Sequence, residues 1–521
     1  MKPIMIQTSR IGALALATLA TAATFSLSTV SVWADVKLPA LFTDNMVLQR
    51  NQPVPVWGTA AAEEKVTVSF AGQSKSATAD ANGAWKVTLD ALETSAEPAS
   101  LKVAGNNAIA VNNVLVGEIW IGSGQSNMQW AVKQANDPEK EIAAADFPNI
   151  RLFYVPRTHS ARPQPDVDAK WNVCTPENIP EFSAVLYFFG RELHQELNVP
   201  IGLIHSSWGG TRVEPWTPLN GFAQVPALQD IYNEASSRIP GTTQYAEVTD
   251  AYVSKLAEWL PAARQQLKDN ATITAVPEPP NALPAKHQTP IALYNAMIHP
   301  LIPFAMKGAI WYQGESNNGE GMLYYEKKKA LIGGWRELWN QGDFPFYFVQ
   351  IAPYNYGENR KEALPELWEA QTACLQIPHT GMAIINDIGN IKDIHPKNKQ
   401  EVGHRLALLA LSNDYGKDVG ASSGPLYHDH QVEGSKVRIR FAHAADGLKA
   451  RDGKELSHFE IAAADGKFVP AKAVADGASV IVTSPDVADP VQVRFAWDQL
   501  AEPNLMNSAG LPASAFRTPS K

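Results

Sequence analysis

The chain has 521 residues, with 44 Lys and Arg against 53 Asp and Glu, a formal net charge of −9. That length exceeds one hydrophobic core and implies about two to four domains. With 45% hydrophobic residues, 19% charged residues and no long basic run, the composition excludes intrinsic disorder and an electrostatic grip on nucleic acid.

The first residues read as an address. Lys2 and Arg10 introduce an uncharged apolar run from Ile11 to Val30, and Val32-Trp33-Ala34 sets small residues where a signal peptidase reads. Residues 1–34 are therefore expected to be a signal peptide, with Asp35 as the mature start. An uncleaved membrane anchor is the rival reading of this run, but its Ser and Thr content and the V-x-A site favour cleavage. The expected product is exported, periplasmic or extracellular, with no stable membrane insertion after cleavage. Cys174 and Cys374 carry no spacing information and are expected to be buried thiols.

Residues 35–113 have β texture. Val54–Gly58, Val66–Phe70 and Ala84–Leu89 alternate apolar and polar residues, with turn chemistry at Asp80-Ala81-Asn82-Gly83 between them. A small β-sandwich is predicted. Residues 114–420 alternate between strand and helix signals. Short apolar runs at Val116–Ile121, Ile201–Ile204, Ala309–Trp311, Tyr347–Ile351 and Met382–Ile385 are buried-strand candidates. Helical spacing appears at Phe182–Leu197, Tyr324–Trp339 and Lys399–Leu411. This pattern predicts a parallel sheet covered on both faces, with its chemistry beyond the carboxyl ends of the strands. A Pro-rich insertion, 271–290, can be neither helix nor central strand. Residues 421–521 are β-rich again, with strand signals at Val437–Phe441, Val480–Val482 and Val491–Trp497.

Four strand-end segments carry chemistry-bearing residues. Ile121-Gly122-Ser123-Gly124-Gln125-Ser126-Asn127-Met128 projects Ser126 from the start of a helix, where developing negative charge is favoured. The same serine could be an ordinary helix cap. Met128 stands where a nucleophile elbow requires glycine, which argues against the α/β-hydrolase template. Ser207-Trp208-Gly209-Gly210-Thr211-Arg212 can bring a backbone N–H close to a substrate oxygen, or simply turn. Trp311-Tyr312-Gln313-Gly314-Glu315-Ser316-Asn317 offers an amide and a carboxylate. In the stretch Asp387–Pro396, His395 stands near Asp387 and Asp393. Ser, His and Asp together form an acyl-transfer set. His428-Asp429-His430 has the look of a metal ligand pair but no third ligand cluster accompanies it, so no metal is assigned.

These blocks resemble those of the sialate O-acetylesterase family within the SGNH hydrolases. Met46-Val47-Leu48-Gln49-Arg50, Asn504-Leu505-Met506-Asn507 and Gly510-Leu511-Pro512 extend the likeness across essentially the whole mature chain. The resemblance implies a flavodoxin-like three-layer catalytic domain flanked by β-rich regions, and removal of O-acetyl groups from carbohydrate without metal or organic cofactor. It implies Ser126 as nucleophile and His395 as general base. An oxyanion hole would come from the Ser126 N–H, Gly209 or Gly210, and the Gln313 amide. Asp393 is the sequence-matched acid, with Glu315 and Asp387 as alternatives; the wider superfamily's position three residues before the histidine is Lys392 here. Arg212 could read a sialic acid carboxylate and Trp216 a sugar face, unless they are a surface ion pair and a core aromatic. The blocks describe ester chemistry and leave the sugar open, so acetylated xylan is an alternative substrate. A non-catalytic glycan-binding protein, or a glycosidase using Glu315 and Asp387, are the readings from other classes.

Overall fold

Alternating burial gives way to continuous burial partway along one strand, Ala108–Gly124, and that change organises the molecule. The computed structural model describes residues 35–280 and 286–519, so the expected signal peptide and residues 281–285 of the Pro-rich insertion lie outside the described residues. As far as Val116 the strand pairs antiparallel with Ser95–Ala104, and up to Asn113 its burial is interrupted by exposed residues. Asn113 has φ 56°, in the left-handed region, and beyond it every residue to Gly124 is buried. The second half joins parallel neighbours on both sides and so needs apolar residues on both faces. The boundary expected between 113 and 114 thus runs through one continuous strand.

The strands around it follow the sequence pattern. Lys65–Phe70 pairs with Gln73–Thr78 and Ser95–Ala104, while Val54–Thr59 pairs with Ala84–Leu89, all antiparallel. In the central sheet the spatial order is Thr380–Ile384, Phe346–Gln350, Gly308–Tyr312, Ala108–Gly124, Ile201–Ser207, Phe147–Tyr154 and Trp171–Cys174. Neighbouring strands are parallel except for the last, which pairs antiparallel with Phe147–Tyr154. The chain runs to one side of Ala108–Gly124 first and then crosses to the other at Gly308–Tyr312. That reversal is the switch point at which doubly wound sheets open a crevice.

Strand alternation assigns the two covering layers. Tyr347 stacks on Trp120, which also meets Phe189 of the helix Ala184–Leu197; this helix packs on Lys399–Tyr415. Phe346, one residue before Tyr347, instead meets Trp335 of the helix Leu323–Trp339. The result is the three-layer α/β architecture expected, with β-rich flanks. The C-terminal flank contains two four-stranded antiparallel sheets, built around Lys436–Ala442 and around Gln492–Phe495.

Among the described residues, five α-helices went unread in the sequence: Pro138–Ala143, Leu219–Ala223, Gln229–Ser236, Thr243–Lys268 and Ala363–Ala373. Thr243–Lys268 buries only Ala263 completely, but Tyr245, Val248, Tyr252, Leu256, Trp259 and Ala263 follow one another at helical spacing along its half-buried side, so its period stood in the sequence and went unread. Cys174 and Cys374 are both buried free thiols. Among the described residues, no helix is long and apolar enough to cross a membrane.

Candidate active site

The strands ending at Gly124, Ser207 and Tyr312 finish level with one another, Gly124 pairing with both Ser207 and Tyr312. Gly124 turns the chain at φ 136°, and a Cβ there would lie 2.2 Å from the Tyr312 carbonyl oxygen. Only glycine fits. The turn delivers Ser126 as the first residue of a short helix, Ser126–Gln129. Its first N–H groups have no intrahelical acceptor.

His395 arrives from the loop before the helix Lys399–Tyr415. Its Nε2 lies 2.8 Å from Ser126 Oγ. The imidazole is stacked on Trp130, with ring centroids 4.8 Å apart and planes at 17°. The histidine side chain remains 27% exposed, so the pair is sheltered but reachable. Burial, reinforced by the nearby Lys399 charge, holds the imidazole below the ordinary histidine range, while Asp393 opposes both.

The three carboxylates considered from sequence stand in different places. Asp393 Oδ1 accepts the His395 backbone N–H at 2.9 Å and lies 3.8 Å from Nδ1. Glu315 is buried and its Oε1 accepts from Asn127 Nδ2 at 2.6 Å; burial pushes its carboxyl up. Asp387 is removed from candidacy because Arg405 holds both of its oxygens, at 2.6 and 2.8 Å. With both oxygens of Asp387 held by Arg405, a glycosidase pair of Glu315 and Asp387 lacks its second carboxylate.

The oxyanion candidates also separate. A Cβ on Gly209 would stand 3.2 Å from Ser126 Cβ, so this residue flanks Ser126 closely. Its N–H donates to Gln129 Oε1 at 2.7 Å, which marks where an oxygen can sit beside Ser126. Gly210 has φ 73° and its carbonyl accepts from Gln288 at 2.6 Å. Gln313 differs from expectation. Its side chain is fully buried, and its Nε2 donates to Asn317 Oδ1 at 2.7 Å and Thr211 O at 3.3 Å, with Tyr324 OH donating to its Oε1. The amide braces the two strand-end loops and presents no free donor to an oxyanion.

The two sugar-binding expectations are corrected likewise. Trp216 is fully buried, its Nε1 donating to Thr211 Oγ1 at 2.9 Å and its ring edge-on to Trp311; it is core beneath the loop. Arg212 donates to Glu214, to Glu320 and to the Ser316 carbonyl, so its guanidinium is already engaged. Lys327 joins the same cluster, 2.7 Å from both Glu214 and Glu320. Burial would raise the Glu214 carboxyl, but Lys327 and Arg212 beside it carry it below its usual range.

Four contributors were not singled out in the sequence: Trp130, Gln129, Lys399 and the ring pair Trp208–His287, whose centroids are 5.2 Å apart and planes at 16°. Trp130 and Gln129 follow Ser126 closely enough to have been suspected. Lys399 carries a subtler signal, being a cation at the first position of a helix where acids are favoured. His428 and His430 spend their Nδ1 atoms on Asp429 and Tyr427, and no group of three or more His, Cys, Asp or Glu suited to a metal occurs among the described residues.

The carboxyl ends of a parallel sheet thus bring Ser126 against His395, and comparison with known proteins gives the class of reaction. A family model described as carbohydrate esterase, sialic acid-specific acetylesterase, matches residues 282–412. The sialate O-acetylesterase of Rattus norvegicus is 33% identical over 428 residues, covering 74% of this chain and 75% of its own length. That of Homo sapiens is 30% identical over 441 residues, covering 76% of this chain and 75% of its own. The crystal structure of a carbohydrate acetylesterase from Xanthomonas citri superposes with a TM-score of 0.79 at 37% identity, covering 93% of this chain and all 100% of that one. The chain belongs to the sialate O-acetylesterase family, and it is a carboxylic ester hydrolase.

Proposed function

We propose that the protein is an exported carbohydrate O-acetylesterase that works through an acetyl-enzyme. Ser126 Oγ attacks the acetyl carbonyl while His395 Nε2 takes its proton. The tetrahedral oxyanion is met by the Ser126 and Gly209 N–H groups, Gln129 Oε1 giving up its place on the latter. The same proton then passes to the departing sugar oxygen, leaving acetate esterified to Ser126. Water, deprotonated by His395, releases acetate and restores the serine. Asp393, 3.8 Å from Nδ1, steadies the imidazolium of each step. The observation that carries this reading is the 2.8 Å contact between Ser126 Oγ and His395 Nε2 at the crevice. Export rests on Lys2, Arg10 and the uncharged run to Val30, with cleavage after Ala34.

The family resemblance favours a 9-O-acetyl sialic acid. One observation favours a neutral acetylated sugar, such as that of xylan: Arg212, the candidate for a sialate carboxylate, is already bound by Glu214 and Glu320. Acetate release from O-acetylated sialic acid and acetylated xylan, side by side with Ser126→Ala as blank, tests both. Preference for sialic acid supports the first reading and preference for xylan the second. Acetate release undiminished in Ser126→Ala would refute the mechanism.

A further inference from the structure

Lys399 occupies a place that fold stability alone disfavours. It is the first residue of the helix Lys399–Tyr415, where the helix dipole repels a cation, and its side chain is fully buried, where an ammonium loses its water. Asn398 caps the helix by accepting the Glu401 N–H at 3.1 Å, so the lysine is not needed for capping. Its Nζ points instead under the candidate active site. It donates to Asn127 Oδ1 at 2.5 Å and lies 4.9 Å above the Tyr312 ring and 5.9 Å from the Trp130 ring.

An ammonium only donates, so it can meet only the oxygen end of the Asn127 amide. That fixes the direction of the NH2 end, which donates to Glu315 Oε1 at 2.6 Å and to the Ile394 carbonyl at 3.0 Å. Asn127 follows Ser126 in the chain, and Ile394 precedes His395. The Asn127–Ile394 hydrogen bond therefore ties the turn that carries the serine to the loop that carries the histidine. The charges facing Lys399 are Glu315 and Asp393; those facing His395 are Lys399 and Asp393.

We propose that Lys399 is a positioning residue of this esterase: through Asn127 it holds Ser126 and His395 in register, and its charge opposes protonation of the resting imidazole. The inference rests on the reading of Ser126 and His395 as the reacting pair. Burial brings the Lys399 amine down to about 7, so it carries its charge in the acidic range where the imidazole would take a proton.

Two variants separate the two effects. Lys399→Met removes both donor and charge; Lys399→Gln keeps an N–H for Asn127 Oδ1 and loses only the charge. Thermal unfolding first establishes that each is folded, and kcat, KM and the pH profile of kcat/KM are then read on the acetylated sugar that the wild type hydrolyses. In Lys399→Met, kcat is expected to fall about tenfold or more with KM within about twofold. In Lys399→Gln a good part of kcat returns. In both, the acid limb of kcat/KM moves to higher pH, because an imidazolium freed of a neighbouring cation forms more readily. An acid limb that stays at its wild-type pH in Lys399→Gln overturns the proposal, whether kcat falls or not. If Lys399→Met does not fold, the Gln profile alone decides. Labelling of wild-type Ser126 by a serine-directed phosphonate, detected by mass spectrometry, tests the underlying reading separately. Absence of label removes the reacting pair itself, whatever Lys399 does.

Discussion

Among the described residues, two serine–histidine pairs lie at the same edge of the central sheet, and only one has the makings of a catalyst. Ser126 Oγ and His395 Nε2 are 2.8 Å apart, and Ser207 Oγ and His205 Nε2 are 2.6 Å apart. The hydrogen bonds are equivalent; the surroundings are not. His205 is sealed, with no partner for Nδ1 among the described residues, and burial drives it down to about 3, the Arg157 charge adding to the effect. An imidazolium formed there would be a buried charge facing no acid. His395 is partly open and has Asp393 beside Nδ1 and Trp130 against its face. A base must be able to hold the proton it takes, and that requirement, more than contact distance, distinguishes the two pairs.

The sharpest way to break this comparison is to remove each serine in turn. Ser126→Ala and His395→Ala should each lower kcat/KM by about a thousandfold or more, with thermal unfolding little changed. Asp393→Asn should cost about ten- to a hundredfold, less than a fully enclosed acid would, because Asp393 is 44% exposed and 3.8 Å from the ring. A loss as large as that of His395→Ala would mean that the carboxylate closes onto Nδ1 during turnover. Asp387→Asn should leave kcat within about threefold yet destabilise the fold by about 3 kcal/mol, because it breaks a buried pair with Arg405. Differential scanning calorimetry and acetate release on the same sample check both halves.

The pH dependences should also diverge. The proposed mechanism needs neutral His395, so kcat/KM should rise with pH through an imidazole pKa below the ordinary histidine range and then level. His205 acts on stability instead. Its folded pKa of about 3 lies below the unfolded value of about 6.5, so the stability it contributes is complete above about 6.5 and is lost as pH falls toward 3. Unfolding curves of wild type and His205→Gln across that window should converge at the acid end. The smallest effect expected is that of Ser207→Ala, with kcat/KM within about threefold of wild type.

The central sheet was legible because parallel strands buried on both faces must be short apolar runs, and Val116–Ile121, Ile201–Ile204 and Met382–Ile385 read in just that way. Ser126 and His395 were legible because their blocks follow such runs. What the sequence withheld is direction. Trp216 follows the glycine block closely and looked available to a sugar, but its side chain turns beneath the loop into the core. Arg212 and Gln313 are polar residues beside the crevice, yet their donors are taken up by Glu214, Glu320, Asn317 and Thr211. Glu320 and Thr211 stand 108 and 102 residues from the donors they engage and leave no local signal. Glu214 and Asn317, by contrast, lie two and four residues along the chain, and the helix Thr243–Lys268 carries Tyr245, Val248, Tyr252, Leu256 and Trp259 at helical spacing, so those features were readable and went unread.

The strand Ala108–Gly124 has a practical meaning for anyone dissecting this enzyme. It belongs at one end to the N-terminal sheet and at the other to the turn that delivers Ser126. Cutting at Asn113 would free its amino half and strip most of the pairing from Ser95–Ala104, while the loop bearing Ser126 would lose half the beam on which it is cantilevered. The N-terminal β region is thus a foundation of the reactive serine, and trimming it away to reach a minimal esterase should cost the esterase.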